Sequence, residues 1–182
     1  MPTPLAISVL ALLRERPMHP YEMHQLLLER HLDEFIKVRA GSLYHTVGRL
    51  EREGRVERTG TQREGNRPER TTYRLTPAGE VAVRGWVLDR LANPVREYPV
   101  YPYALTEAHN LTAQEAVGAL SQRCERLAAE LIRALGLLET DKPMVYRIGG
   151  QLRVALIEAE LDWTRDLIGR IERKDFPWDP WK

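Results

Sequence analysis

Apolar residues recur at helical spacing along most of the chain, and Thr, Pro and Gly stand where those runs begin and end. Leu5, Val9 and Leu12 fall at i, i+4 and i+7, flanked by Ile7, Leu10 and Leu13, which puts one stripe of a helix against a core. Thr3-Pro4 opens that helix, Thr as N-cap and Pro at a position whose N–H would have no partner. It runs to about Arg16 and is broken by Pro17-Met18-His19-Pro20. Pro20 suits the start of a second helix carrying Tyr21, Met23, Leu27 and Leu28 and ending near Arg30 or His31. A short turn region leads to a third helix from Gly41-Ser42 to Glu53, with Gly54 where a C′ glycine is expected.

In the third helix Leu43, Val47 and Leu50 make one narrow apolar stripe. At about 100° per residue, His45, Gly48, Arg49 and Arg52 point away from it, with Ser42 and Tyr44 flanking. That outward face offers donors and an aromatic ring, as a reading surface for a DNA major groove would. The period then changes. Val56 and Arg58 alternate, as do Tyr73 and Leu75 with Thr72 and Arg74, so two strands are expected, joined by a polar loop with Arg63, Gly65, Asn66, Arg67 and Pro68. Three helices followed by a basic hairpin form a winged helix-turn-helix, whose wing arginines would lie along phosphates or enter the minor groove.

Thr76-Pro77 repeats the opening signal and starts a fourth helix to about Ala92, which Asn93-Pro94 ends. Residues 94–103 hold three prolines and three tyrosines and read as a linker. Thr112-Ala113-Gln114-Glu115 is a capping box. Behind it Ala113, Val117, Leu120, Cys124, Leu127, Leu131, Ala134 and Leu138 alternate four and three apart, the repeat of helices packed along a seam. The last helix, from about Val145 to Glu172, has two stripes. One is Leu152, Leu156, Ala159, Trp163 and Leu167; the other is Val154, Ile157, Leu161, Ile168 and Ile171. One stripe can pack on the neighbouring helix, and the second calls for another subunit. A twofold dimer is therefore expected, with Leu120, Leu127, Leu131, Leu156, Leu161, Trp163 and Ile168 as its candidate contacts. Two recognition helices could then meet half-sites about 34 Å apart.

The fold class is thus mainly α: a winged helix-turn-helix over 1–92, a Pro/Tyr-rich linker over 93–103, and an antiparallel helical dimerisation region over 104–182 with an aromatic tail. Charge follows the same division. Residues 37–74 hold ten basic and five acidic side chains, whereas residues 104–176 hold ten basic and twelve acidic. A basic binding module joined to a neutral assembly module would show this split. No apolar stretch reaches the roughly 18–20 residues that span a bilayer. Cys124 is the single cysteine, which excludes an intrachain disulfide and suits a reducing cytosol.

Several segments resemble the PadR family of bacterial regulators: Pro17-Met18-His19-Pro20-Tyr21-Glu22-Met23, Gly41-Ser42-Leu43-Tyr44, Arg49-Leu50-Glu51-Arg52-Glu53-Gly54, and Thr72-Tyr73-Arg74-Leu75-Thr76-Pro77-Ala78-Gly79. The resemblance spans roughly residues 5–85. It implies a cytoplasmic winged-helix repressor, dimeric through C-terminal helices and often released from double-stranded DNA by a small ligand. The family commonly has Gly at the position of Pro20 and Pro at that of His45. The second departure lies on the recognition helix, so no operator sequence carries over.

The candidate DNA contacts are Lys37, Arg39, Ser42, Tyr44, His45 and Arg49 around the third helix, and Asn66, Arg67 and Arg70 on the wing. Ser42 would cap its helix and meet a phosphate. His19, His24 and His31 lie five and seven apart, unlike a helical metal pair, so no metal or cofactor is expected. Cys124 on the heptad stripe reads as a small buried side chain. Trp86, Tyr98, Tyr101, Tyr103, Trp163, Phe176, Trp178 and Trp181 could line a site for a planar effector, or simply fasten linker and tail to the helices. An enzyme is disfavoured, since no phosphate loop, metal spacing or nucleophile set stands out. The remaining alternative, a winged helix that binds proteins instead of DNA, would want an acidic or apolar third helix.

Overall fold

A computed structural model of the chain describes residues 1–62 and 70–178. It divides into two compact units, Met1–Arg96 and Glu97–Lys182. The first contains α1 (Pro4–Glu15), α2 (Pro20–Glu29), α3 (Ala40–Arg52), β1 (Val56–Gln62), β2 (Arg70–Leu75) and α4 (Pro77–Ala92). The second contains α5 (Val100–Thr106), α6 (Ala113–Leu138) and α7 (Ile148–Glu172).

The Thr-Pro starts work as their chemistry requires. The Thr3 hydroxyl accepts from the Ala6 N–H at 3.3 Å, and Thr76 accepts from Gly79 at 3.2 Å. The second helix has an unexpected cap: His19 Nδ1 accepts from the Tyr21 N–H at 3.0 Å, with Pro20 as the first helical residue. Leu10, Met23, Leu27, Leu43, Leu50 and Val56 are fully buried in one core, to which α4 adds Val83. Two ion pairs bind α1 to α2. Arg30 grips both carboxylate oxygens of Glu15, and Arg16 meets Glu22. The hydrogen bond from Arg30 holds the Glu15 carboxyl below its ordinary pKa. Its contribution to stability is present above the ordinary carboxylate range and is lost as pH falls through the lowered value.

β1 and β2 pair antiparallel from Val56–Leu75 to Gln62–Arg70, with an irregularity at Thr59. Sequence alternation foresaw only the first few residues of β1; an extra residue breaks a period of two. Met18 bridges Tyr73 through two backbone hydrogen bonds of 3.0 Å, tying the α1–α2 turn to the base of the wing. The turn after α3 is built on Gly54 at φ +67, the left-handed C′ position. There the Thr76 hydroxyl donates to the Gly54 carbonyl at 2.7 Å while its N–H donates to Arg55. Gly79 packs so closely that a Cβ would lie 2.2 Å from the Arg55 carbonyl oxygen.

In the second unit α6 and α7 are antiparallel: Arg123 pairs with Glu160, Arg153 with Glu130, and Leu138 lies against Gly150. Leu127, Ala134, Val154, Ile157 and Leu161 form their shared core, with Cys124, Leu131 and Leu138 packed on it. The stretch read as a linker over 93–103 is corrected in part, because residues from Val100 onward enter α5. Pro99 is its N-cap and Pro102 lies in its first turn, where a missing N–H costs no helical hydrogen bond. Short 3₁₀ turns at Leu32–Glu34, Ala108–Asn110 and Met144–Tyr146 were not foreseen either.

The Thr112–Glu115 capping box is fully formed. Glu115 accepts from the Thr112 hydroxyl and backbone N–H, and these bonds lower its pKa. Replacing Thr112 by Ala should destabilise the helical unit by about 1 kcal/mol. Urea denaturation should show a reduced midpoint at unchanged slope; an unaltered midpoint would mean that the cap contributes nothing.

Candidate nucleic-acid interface

The site is the outward side of α3, and its orientation is set by what α3 buries. Leu43, Val47 and Leu50 are inside the core, as expected, and Thr46 joins them. A threonine can sit there because its hydroxyl donates to the Ser42 carbonyl one turn back, at 2.7 Å. Periodicity alone passes over such a residue, since it scores as polar. With that side fixed, Ser42, Tyr44, His45 and Arg52 are exposed and Arg49 is half-exposed. Tyr44 is 47% exposed and meets the edge of the His19 ring at 6.2 Å between centroids. The α1–α2 turn therefore steadies the Tyr44 ring at the rim of the outward face.

Arg49 lies 3.6 Å from Glu53, one turn on. Glu53 also pairs with Arg55 at 3.2 Å. A half-exposed pair at that distance is weak, so Arg49 can leave it at little cost. Arg52 folds back on its own helix, its Nε donating to the Gly48 carbonyl at 3.3 Å. Lys37 and Arg39 are exposed before the helix and form no ion pair among the described residues.

The expectation that Ser42 caps α3 is corrected. The helix begins at Ala40, and Arg39 occupies the N-cap position in extended conformation without a side-chain hydrogen bond. Ser42 is thus the third helical residue, too far along to cap. The first-turn N–H groups are left for solvent or an anion, which the helix dipole favours. Asn66 and Arg67 lie outside the described residues. Arg70 opens β2, and its side chain is likewise outside them.

The seven candidate dimer contacts separate into three groups. Leu120, Leu127 and Leu161 are buried within one chain, so their apolar surface is already consumed. Leu131 and Ile168 are half-buried. Leu156 and Trp163 remain outside at 61% and 49% exposure, beside Leu152. Two apolar stripes on α7 could not be ranked from spacing; packing on α6 takes the Val154 stripe and leaves the Leu156 stripe open.

The aromatic residues also separate. Trp86 packs partly buried on the core of the first unit, with Arg90 5.9 Å from its ring. Tyr98 and Tyr103 are exposed. Tyr101, Trp163, Phe176 and Trp178 line one cavity inside the helical unit. Trp181 lies outside the described residues. Among those residues, no helix is long and apolar enough to cross a membrane.

No curated protein matches the chain by sequence. Solved structures match its fold over nearly its whole length. Bacillus subtilis PadR in complex with operator DNA aligns with a TM-score of 0.76 at 19% identity, covering 92% of this chain and 98% of that one. The same protein with p-coumaric acid gives 0.76 at 17%, with the same coverage. The Vibrio cholerae virulence activator AphA gives 0.71 at 15%, covering 93% and 98%. The model of the transcriptional regulator PadR-like family matches residues 9–85, the segment from within α1 into α4. Residues 9–85, the winged-helix segment of this chain, are accordingly similar to the transcriptional regulator PadR-like family.

Proposed function

We propose that the chain is a DNA-binding transcriptional regulator that grips a pseudo-palindromic operator as a homodimer. The observation that carries this reading is the outward side of α3, with Ser42, Tyr44, His45 and Arg49 on a helix whose apolar stripe is wholly buried. That side is neither acidic nor apolar, which argues against a protein-docking role for the winged helix. Lys37, Arg39, the open first turn of α3 and the wing residues Asn66, Arg67 and Arg70 would hold phosphates and supply the salt-dependent part of the affinity. His45 and Arg49 would read bases. Bound across a promoter, such a dimer excludes polymerase, and repression is the direct consequence.

Such a protein works beside the chromosome, in the bacterial cytoplasm. It acts by binding equilibrium and not by turnover. Dimerisation through the open Leu152–Leu156–Trp163 stripe of α7 would place two reading helices on one side of a duplex. The Bacillus subtilis neighbour was crystallised with p-coumaric acid, and the aromatic cavity in the helical unit supports a small-molecule effector here too. An effector would act through different affinities for DNA-competent and DNA-incompetent dimers.

Selection of genomic fragments with the purified protein, followed by footprinting, tests the reading. On the operator so found, Arg49→Ala should weaken binding by about 1–3 kcal/mol, the worth of a bidentate base contact. Its stability should change little, because the Glu53 pair it loses is weak. Wild-type affinity in this variant would remove Arg49 from the reading face. Failure to select any sequence would refute the regulator.

A further inference from the structure

His19 stands where three elements of the winged unit meet, and it is fixed through both backbone and ring. Its backbone is extended. Its carbonyl accepts the first helical bond of α2, from Met23 at 3.1 Å, and its neighbour Met18 is paired with Tyr73 of β2. The ring is held as well. Nδ1 accepts from the Tyr21 N–H at 3.0 Å, so this nitrogen carries no proton and the bond sets the direction of the imidazole. In that direction the ring meets Tyr44 of α3, at 6.2 Å between centroids and 73° between planes. Aromatic pairs prefer such an edge-to-face arrangement.

Capping alone does not account for an imidazole here. Ser, Thr, Asp and Asn are the preferred caps, and the chain uses Thr3, Thr76 and Thr112 for the same task elsewhere. A threonine would satisfy the Tyr21 N–H but bring no ring to Tyr44. An exposed tyrosine on a helix has more than one staggered χ1 open to it, and a partner on one side selects among them. A side chain ordered before its ligand arrives spares the cost of ordering it on binding. We propose that His19 is a positioning residue of the nucleic-acid interface. It holds the Tyr44 ring ready for the duplex, from a turn that Met18 ties to the wing. The inference rests on the regulator reading and adds to it a residue that acts through Tyr44 and lies off the third helix.

Two substitutions in the full chain separate the cap from the ring. His19→Asn keeps a strong cap and removes the ring; His19→Phe keeps a ring and removes the cap. His19→Asn should melt no lower than wild type and bind the selected operator about threefold to tenfold more weakly, the worth of an aromatic pair. His19→Phe should melt about 4–8 °C lower, as loss of a cap requires, and bind within about twofold of wild type, since the pair survives. Tyr44→Ala should also bind more weakly, and adding His19→Asn to it should cost nothing further, because a residue that acts through Tyr44 has nothing left to act on. His19→Ser, another strong cap, takes the place of His19→Asn if that variant misfolds. Wild-type affinity in the ringless variants would overturn the inference, as would an undiminished further loss in the Tyr44→Ala background. Intact operator binding by Tyr44→Ala would do the same. A wild-type chain that selects no operator refutes the regulator and this inference with it; a selected operator bound equally well by His19→Asn removes the positioning role alone.

Discussion

Gly79→Ala should destabilise the winged unit by about 3 kcal/mol or more, at the upper end of what overpacking costs. The new methyl would meet the Arg55 carbonyl oxygen at 2.2 Å and the Leu75 side chain at 2.5 Å. The leucine could turn aside, but the carbonyl cannot. It accepts the Thr76 N–H at 3.1 Å and belongs to the turn that joins α3 to β1. Relief would need α4 to slide off the junction, and Thr76 would then lose its bonds to Gly54 and Gly79. Gly85→Ala in the same helix is the control. Nothing lies within 4 Å of its Cβ position, so it should stabilise by about 0.5–1 kcal/mol through helix propensity alone. Thermal melting should therefore separate two chemically identical substitutions by a shift on the order of 10 °C or more. Equal melting temperatures would show that the close approach is not a constraint.

Leu156→Glu should convert the proposed dimer to monomers and lower operator affinity by on the order of 100-fold or more, the loss expected when one of two linked sites is given up. Leu156 is 61% exposed on α7 and contributes nothing to the α6–α7 core. A carboxylate there is harmless to a single chain and costly inside an apolar interface. Leu161→Ala distinguishes the two stripes. It hollows the intrachain core, where truncating a buried leucine costs about 2–5 kcal/mol, and should lower stability before it affects assembly. Sedimentation velocity and operator titration read both variants. A Leu156→Glu protein that remains dimeric at wild-type affinity would place the interface elsewhere.

The parts of this fold that the chain announces are those governed by local stereochemistry. Thr3-Pro4, Thr76-Pro77 and the Thr112–Glu115 box begin helices where expected, and Gly54 ends one. Burial of Leu43, Val47 and Leu50 turned Ser42, Tyr44, His45 and Arg49 outward, so that side of α3 was legible before any coordinates. What escaped notice depends on neighbours or on rules with exceptions. Histidine is seldom a cap, yet His19 caps α2. Prolines suggest a linker, yet Pro99 and Pro102 fall where a helix tolerates them. The open stripe of α7 and the grouping of Tyr101 with Phe176 and Trp178 are tertiary facts, and no spacing encodes them.

The Met18–Tyr73 bridge joins residues more than fifty positions apart. Closing so long a loop costs entropy that short-range helical turns never meet, so the three helices should associate before the ribbon docks. The same pair should be among the earliest to open in the native state, since fluctuations reverse the last and least local step at least cost. Amide exchange at Tyr73 would then be faster than at Leu10 or Leu43. The base of the strand pair would then part from the α1–α2 turn and return many times while the helices beneath it stay closed.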